Sequence, residues 1–324
     1  MARLGVAGLG AAGLVVAACA PRVDAPGPAT QTPMLQADYF RAADGRRLAV
    51  RRYPADAPRA IVVAVHGFND YSNNFGLAGP WFAERGIAVI ALDQRGFGET
   101  PTRRRWAGTQ AMAADVAALV EAVRAENPTI PLYLLGVSMG GAVATVAAAS
   151  NDLPIEGLIL AGPAFWGWSQ MNPVYRATLR TAAHVTPWYH LSGEGLSRQP
   201  SDNIEMLRAL SQDPLIIRKT RIDTIYGLVT LMDEAFIAAA DVRVPTLVLF
   251  GDKDEIVPIA PVEAVVEQLG THACFVRYPD GWHMLLRDLQ REQVYADIAA
   301  WMEGLACPPT LQERVAEEVA LTAE

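Results

Sequence analysis

Thiol and imidazole are scarce in this chain: its 324 residues hold three cysteines and five histidines. Cys274 and Cys307 stand outside the short spacings that build a metal knuckle, so the reading calls for no metal and no cofactor. Cys274 reads as a buried strand residue and Cys307 as a tail residue, left unpaired although an oxidising compartment would permit a bridge. Positive charge is also in deficit, 27 Lys and Arg against 35 Asp and Glu for a net charge of -8. Phosphate neutralisation needs clustered cations, which excludes a nucleic-acid partner. The local exception is Arg103-Arg104-Arg105, which reads as a solvated loop and, on a membrane-facing side, would meet lipid phosphates. What the chain does have is apolar mass. A hydrophobic content of 51% supplies a core for one large domain with an insertion.

Residues 1–18 carry one charge, Arg3, and an apolar stretch rich in Gly, Ala and Val, the pattern of a secretory leader. Gly5, Gly8, Gly10 and Gly13 make it a poor membrane span, so cleavage is expected. Val16-Ala17-Ala18-Cys19 resembles the lipobox of bacterial lipoproteins. That resemblance implies lipid modification of Cys19 and a place in the bacterial cell envelope, anchored to the outer membrane and facing the periplasm. Residues 19–36 show no apolar period and contain Pro21, Pro26, Pro28 and Pro33, which predicts a flexible tether reaching up to about 60 Å when fully extended.

The domain is expected over residues 37–307, with a polar tail at 308–324. Residues 38–53 hold Asp44-Gly45 between two alternating stretches, the signature of a hairpin. The pattern then changes to short continuous apolar runs, Ala60-Ile61-Val62-Val63-Ala64-Val65 and Ile87-Ala88-Val89-Ile90-Ala91-Leu92, as in strands of a parallel sheet buried on both faces. Further runs begin at Leu132, Gly157, Thr246 and Phe275, eight strands in all. Met112, Val116, Leu119, Val120 and Val123 share one helix face, and a last helix is expected over residues 289–305. Between the sixth and seventh strands lie nearly eighty residues with Trp166, Trp168, Met171, Trp188 and Met232, too long and too apolar for a loop. They predict a helical cap over 165–242.

The chemistry centres on Gly136-Val137-Ser138-Met139-Gly140-Gly141, between an apolar strand and an Ala/Gly/Val helix. Random placement would give this glycine spacing around a serine about 0.05 times per chain. At the apex of such a turn a serine hydroxyl projects from the strand end. The Met139 N–H then lies at a helix amino terminus, where developing negative charge is favoured. A serine nucleophile needs an imidazole to take its proton and an acid to orient that imidazole. His66 precedes a loop after the first parallel strand, His184 and His190 fall in the cap, and His272 lies at the opposite end of the sheet. His283 alone follows the terminal strand with a glycine-bearing loop behind it. For the acid, Asp252, Asp254, Glu255 and Asp280 all stand near strand ends.

The stretches His66-Gly67-Phe68, Gly136 to Gly141, Gly251-Asp252-Lys253-Asp254 and Gly281-Trp282-His283 resemble the α/β-hydrolase fold. Within it they look like the monoacylglycerol lipase and lysophospholipase group, which shares a domain family with serine aminopeptidases. The match spans about residues 38–304, including Leu196-Ser197-Arg198 and Ser211-Gln212-Asp213-Pro214-Leu215-Ile216. It implies a mostly parallel eight-stranded sheet flanked by helices. It also implies Asp254 as the acid, with Asp252 bracing the turn, and the Phe68 and Met139 amides as oxyanion donors. Val137 stands where many members have histidine. The implied activity is hydrolysis of small acyl esters of single-chain lipids by Ser138, Asp254 and His283. The competing readings are a serine aminopeptidase, needing an acidic anchor among Glu194, Asp202, Glu205, Asp233 and Glu234, and a non-catalytic envelope lipoprotein of the same fold.

Overall fold

Continuous apolar runs have no solvent-facing side to offer, and here they become the inner strands of one sheet, covered by helices on both faces. A computed structural model describes residues 20–150, 152–193 and 198–308. The leader, Cys19, Glu194, Leu196, Ser197 and the tail beyond 308 lie outside the described residues. The strands are β1 (Met34–Leu35), β2 (Tyr39–Arg41), β3 (Arg47–Tyr53), β4 (Ala60–Val65), β5 (Ile87–Leu92), β6 (Leu132–Val137), β7 (Gly157–Ala161), β8 (His190–Ser192), β9 (Lys219–Arg221), β10 (Thr246–Gly251) and β11 (Ala273–Tyr278). Nine of them form one sheet in the order β1-β2-β3-β5-β4-β6-β7-β10-β11. The first three run antiparallel and the rest parallel. The ninth strand, absent from the sequence reading, is β1, whose two residues are too few to carry a period.

The helices are α1 (Ala78–Ala83), α2 (Thr109–Glu126), α3 (Met139–Ser150), α4 (Pro173–Val185), α5 (Ile204–Gln212), α6 (Ile222–Ala238), α7 (Ile259–Leu269) and α8 (Arg291–Gly304). Alternate residues of β4 divide between two cores. Ile61, Val63 and Val65 pack with α2, α3 and α7 residues such as Val116, Val143 and Val262. Val62 and Ala64 face α1 and α8 through Phe82, Val294 and Trp301. Each fully buried Val, Leu or Ile contributes roughly 1.5–3 kcal/mol.

The insertion after β7 contains α4, α5 and α6 and also an antiparallel ribbon, β8 with β9, that its helical spacing did not announce. Its inner residues Trp168, Met171, Ile217 and Met232 are buried, whereas Val174, Tyr175, Trp188 and Tyr189 are more than half exposed.

Two expectations are corrected. Cys274 and Cys307 are disulfide-bonded. Leu305 after α8 takes a left-handed φ of 54°, turning the chain back so that Cys307 lies 5.3 Å, Cα to Cα, from Cys274 on the edge strand. Closing a loop of 33 residues restrains the unfolded chain by roughly 3–4 kcal/mol. The stretch expected as a free tether is also laid on the domain. Residues 20–33 form no helix or strand, yet the Asp24 N–H donates to Trp106 O at 2.7 Å and the Thr30 N–H to Ala43 O at 2.8 Å. The Gly27 N–H donates to Asp44 Oδ2 at 3.2 Å, and Asp24 pairs with Arg46 at 2.7 Å. Behind them Arg95 is sandwiched between Asp44 and Asp115 and is almost wholly buried. Hydrogen bonding from Arg95 holds the Asp44 carboxyl down at about 2.

Candidate active site

Parallel strands send all their carboxyl ends to one side, and there the four sequence-predicted loops meet. At the end of β6 the chain turns into α3 through Ser138, whose φ is 52°. The turn is that tight because α3 crosses directly over the strands. A Cβ on Gly140 would stand 2.1 Å from Val65 O, and one on Gly136 would stand 2.4 Å from Gly140 O. The strained residue is pinned on both sides. Its N–H donates to Ala161 O at 3.0 Å, and its carbonyl accepts from Gly141 and Ala164 at 2.9 and 3.1 Å.

Asp254 and His283 arrive from the two strands beyond β7. The loop after β11 must recross two strands, about 10 Å at the usual spacing, and it passes over Gly162 at the end of β7. It is guided by the neighbouring loop, where the Lys253 N–H donates to Gly281 O at 2.9 Å. His283 Nδ1 lies 2.7 Å from Asp254 Oδ2, and Nε2 lies 3.0 Å from Ser138 Oγ. A carboxylate only accepts, so Nδ1–H donates to Asp254 and Nε2 is left to accept from the serine hydroxyl. The other Asp254 oxygen accepts from the Ile256 and Val257 N–H groups at 2.7 and 2.9 Å, and its side chain has no exposed surface.

The remaining acids lie elsewhere. Asp252 does not brace its own turn; it receives a hydrogen bond from Arg277 at 2.8 Å across to β11. Asp280 pairs with Lys253, and Glu255 accepts from the Gln199 N–H. Among the cap acids, Asp233 is held by Ser169, and Asp202 accepts from the Leu289 N–H. Glu234 lines a recess beneath residues 21–26, and Glu205 one beside Arg287 and Arg291.

Phe68 follows Gly67 on the loop after β4, where a Cβ on Gly67 would stand 3.4 Å from Ser138 Cβ, and Met139 takes the first position of α3. Neither backbone N–H has a hydrogen-bond partner among the described residues. The loop is stiffened by His66, a fully buried residue whose role the sequence did not reveal. Its Nε2 accepts from the Gln94 N–H at 3.0 Å and its Nδ1 lies 2.8 Å from Gly67 O, an arrangement that requires a neutral ring protonated on Nδ1. Burial pushes its pKa down accordingly. Asn69, at a left-handed φ of 63°, ties the same loop to the cap: its side-chain Nδ2 donates to Thr220 Oγ1 at 2.8 Å, and its backbone carbonyl accepts from the Ile217 N–H at 3.0 Å.

The histidine loop is buckled to the cap in the same manner by Asp288, which has no exposed surface and accepts from Ser201 Oγ at 2.6 Å and the Trp282 N–H at 2.7 Å. Burial pushes its pKa up, from 3.8 to about 6. The folded state therefore holds more protons than the unfolded one between about pH 4 and 6. The contribution of Asp288 to stability is greatest below that window and falls as pH rises through it. At about 1.4 kcal/mol per unit, wild-type stability should drop by up to about 3 kcal/mol from pH 4 to 7 relative to Asp288→Asn, which cannot titrate. Urea unfolding of both chains across this range measures the effect, and parallel pH profiles would refute it.

A family model described as Serine aminopeptidase, S33 matches residues 56–290. The monoacylglycerol lipase of Mycolicibacterium smegmatis is 26% identical over 255 residues, covering 77% of this chain and 90% of that protein. The monoglyceride lipase of Mus musculus is 25% identical over 284 residues, covering 82% of this chain and 92% of that protein. Among solved structures, a soluble variant of monoglyceride lipase from Saccharomyces cerevisiae in complex with a substrate analog superposes with a TM-score of 0.71. It covers 86% of this chain and 98% of its own at 20% identity, a likeness of fold.

Proposed function

The chain belongs to the serine aminopeptidase S33 family, and from that premise we propose that it is a serine hydrolase cleaving carboxylic esters of single-chain lipids through an acyl-enzyme on Ser138. The observation that carries this reading is the unbroken hydrogen-bond chain from Asp254 through His283 to Ser138. As Ser138 Oγ bonds to the ester carbonyl carbon, its proton passes to His283 Nε2, and Asp254 stabilises the imidazolium. The carbonyl oxygen becomes an oxyanion facing the Phe68 and Met139 N–H groups. Collapse of this intermediate breaks the bond to the alcohol, which leaves with the proton from Nε2. A water molecule then bonds to the acyl carbon as its proton passes to His283 Nε2, and the acyl bond to Ser138 Oγ breaks, Oγ taking that proton back and the fatty acid leaving.

The ester reading rather than the aminopeptidase one is supported by the lipase relatives and by the occupation of Asp202 and Asp233 in hydrogen bonds of the fold. Substrate selection should follow the acyl chain, because each methylene buried beneath the cap adds about 0.8 kcal/mol, against about 1 kcal/mol for a head-group hydrogen bond. On one preparation, kcat/KM should rise with chain length across glycerol monoesters until the site is full. It should be higher for monoesters and a lysophospholipid than for a triacylglycerol or an aminoacyl anilide. A flat profile, or faster turnover of the anilide, overturns the assignment in favour of peptide chemistry.

The finer placement follows from the leader. Residues 1–18 are cleaved, Cys19 carries the lipid, and the domain faces the periplasm from the outer membrane. The Cys274–Cys307 bridge is in keeping with an oxidising compartment.

A further inference from the structure

The arginine run at 103–105 takes no part in the chemistry around Ser138, and the fold gives it company. Arg22, Arg103, Arg104, Arg105 and Arg221 line one recess of about 380 Å³. Two carboxylates share the lining, and both are committed: Asp24 to Arg46 at 2.7 Å, and Asp223 to Arg221 through two hydrogen bonds. Arg103 donates to Pro214 O at 2.9 Å. The guanidinium groups of Arg22, Arg104 and Arg105 have no hydrogen-bond or carboxylate partner among the described residues. Five arginines against two aspartates leave the recess a formal +3 in a chain whose total is -8. Cations gathered this way repel one another until an anion joins them, and the planar guanidinium matches phosphate oxygens two at a time.

Where the recess lies decides which anion. Its wall includes Arg22, three positions after Cys19, and Asp24 is fastened to Trp106 O. Three residues span at most about 11 Å. A lipid on Cys19 therefore keeps Arg22, on the wall of the recess, within about that distance of the anchored residue, comparable to a Debye length of roughly 8–10 Å. Trp188 and Tyr189, both more than half exposed, adjoin it through the Ile222 N–H to Tyr189 O and Asp223 N–H to Pro187 O hydrogen bonds. Such aromatics favour the boundary between water and lipid.

We propose that this recess binds the phosphate groups of anionic membrane lipids and seats the body of the protein on the bilayer beside its anchor. The lipidated Cys19 of the proposed function enters only as what brings the membrane near.

The test is the partition of the full chain and its Cys19→Ala variant onto phosphatidylcholine vesicles, with and without roughly a third of phosphatidylglycerol. Anionic lipid should strengthen binding of both chains, by about fivefold for each arginine engaged, and high salt should remove the gain. Arg104→Gln with Arg105→Gln should cut the gain by roughly 25-fold while hydrolysis of a short water-soluble ester is unchanged. A gain that survives the double substitution overturns the proposal, as does one abolished by millimolar inorganic phosphate at constant ionic strength, which would mark a free-phosphate site. Neutral vesicles read the anchor separately. Binding there that Cys19→Ala leaves intact, with residues 1–18 absent from both chains by mass spectrometry, refutes lipidation without touching the recess.

Discussion

Ser138→Ala and His283→Ala should each lower kcat by about three or more orders of magnitude, and the double variant should be little worse than either alone. The hydroxyl and the imidazole, 3.0 Å apart, act as one device: without Nε2 to take the proton the oxygen is a weak nucleophile, and without the oxygen the imidazole has nothing to activate. Residual turnover would come from substrate binding and the Phe68 and Met139 amides, which neither substitution removes. Steady-state kinetics on a soluble ester measures the loss, and a fluorophosphonate should label the wild type but not Ser138→Ala. Turnover of Ser138→Ala within tenfold of wild type, or its labelling, would show that the nucleophile lies elsewhere.

Asp254→Asn should be comparably severe, costing about three to four orders of magnitude in kcat, while Asp252→Asn should pass almost unnoticed. The two aspartates are separated by one residue but differ in what they hold. Asp254 Oδ2 receives Nδ1–H of His283 at 2.7 Å, and its other oxygen is fixed by two backbone N–H groups. An amide nitrogen presented to Nδ1 would favour the wrong tautomer, with Nε2 protonated and unable to accept from Ser138. Asp252 is partly exposed and pairs with a half-exposed Arg277, an arrangement worth about 0–1 kcal/mol. Comparing the pair on one substrate, at matched folded fraction by circular dichroism, decides between them. A crippled Asp252→Asn beside a mild Asp254→Asn reverses the assignment.

The sheet and the turn at Ser138 were legible because their causes are local. A run such as Ala60–Val65 with no polar position must be buried on both faces, and a serine flanked by Gly136 and Gly140 can enter a turn that crowds the backbone of β4. Helix α2 buries Met112, Val116, Leu119, Val120 and Val123 together, as their spacing predicted. Choosing among five histidines needed only chain order and strand polarity. Choosing Asp254 over Asp252 needed the family resemblance, because spacing alone left several acids open.

The amino-acid sequence by itself determined which elements form and which residue types gather at the carboxyl ends of the strands, since periodicity and steric crowding act over a few neighbouring residues. Tertiary structure decided what meets across long separations, where loop closure and burial set the outcome. It brought Cys307 back to Cys274, set Ser201 against Asp288 across 87 residues, and joined Asn69 to Thr220 across 151. It also laid the proline-rich segment beside Arg103, Arg104 and Arg105. That segment has no apolar period to read, and what holds it are single backbone hydrogen bonds and the Asp24–Arg46 pair, whose partners lie in the hairpin and the Trp106 loop.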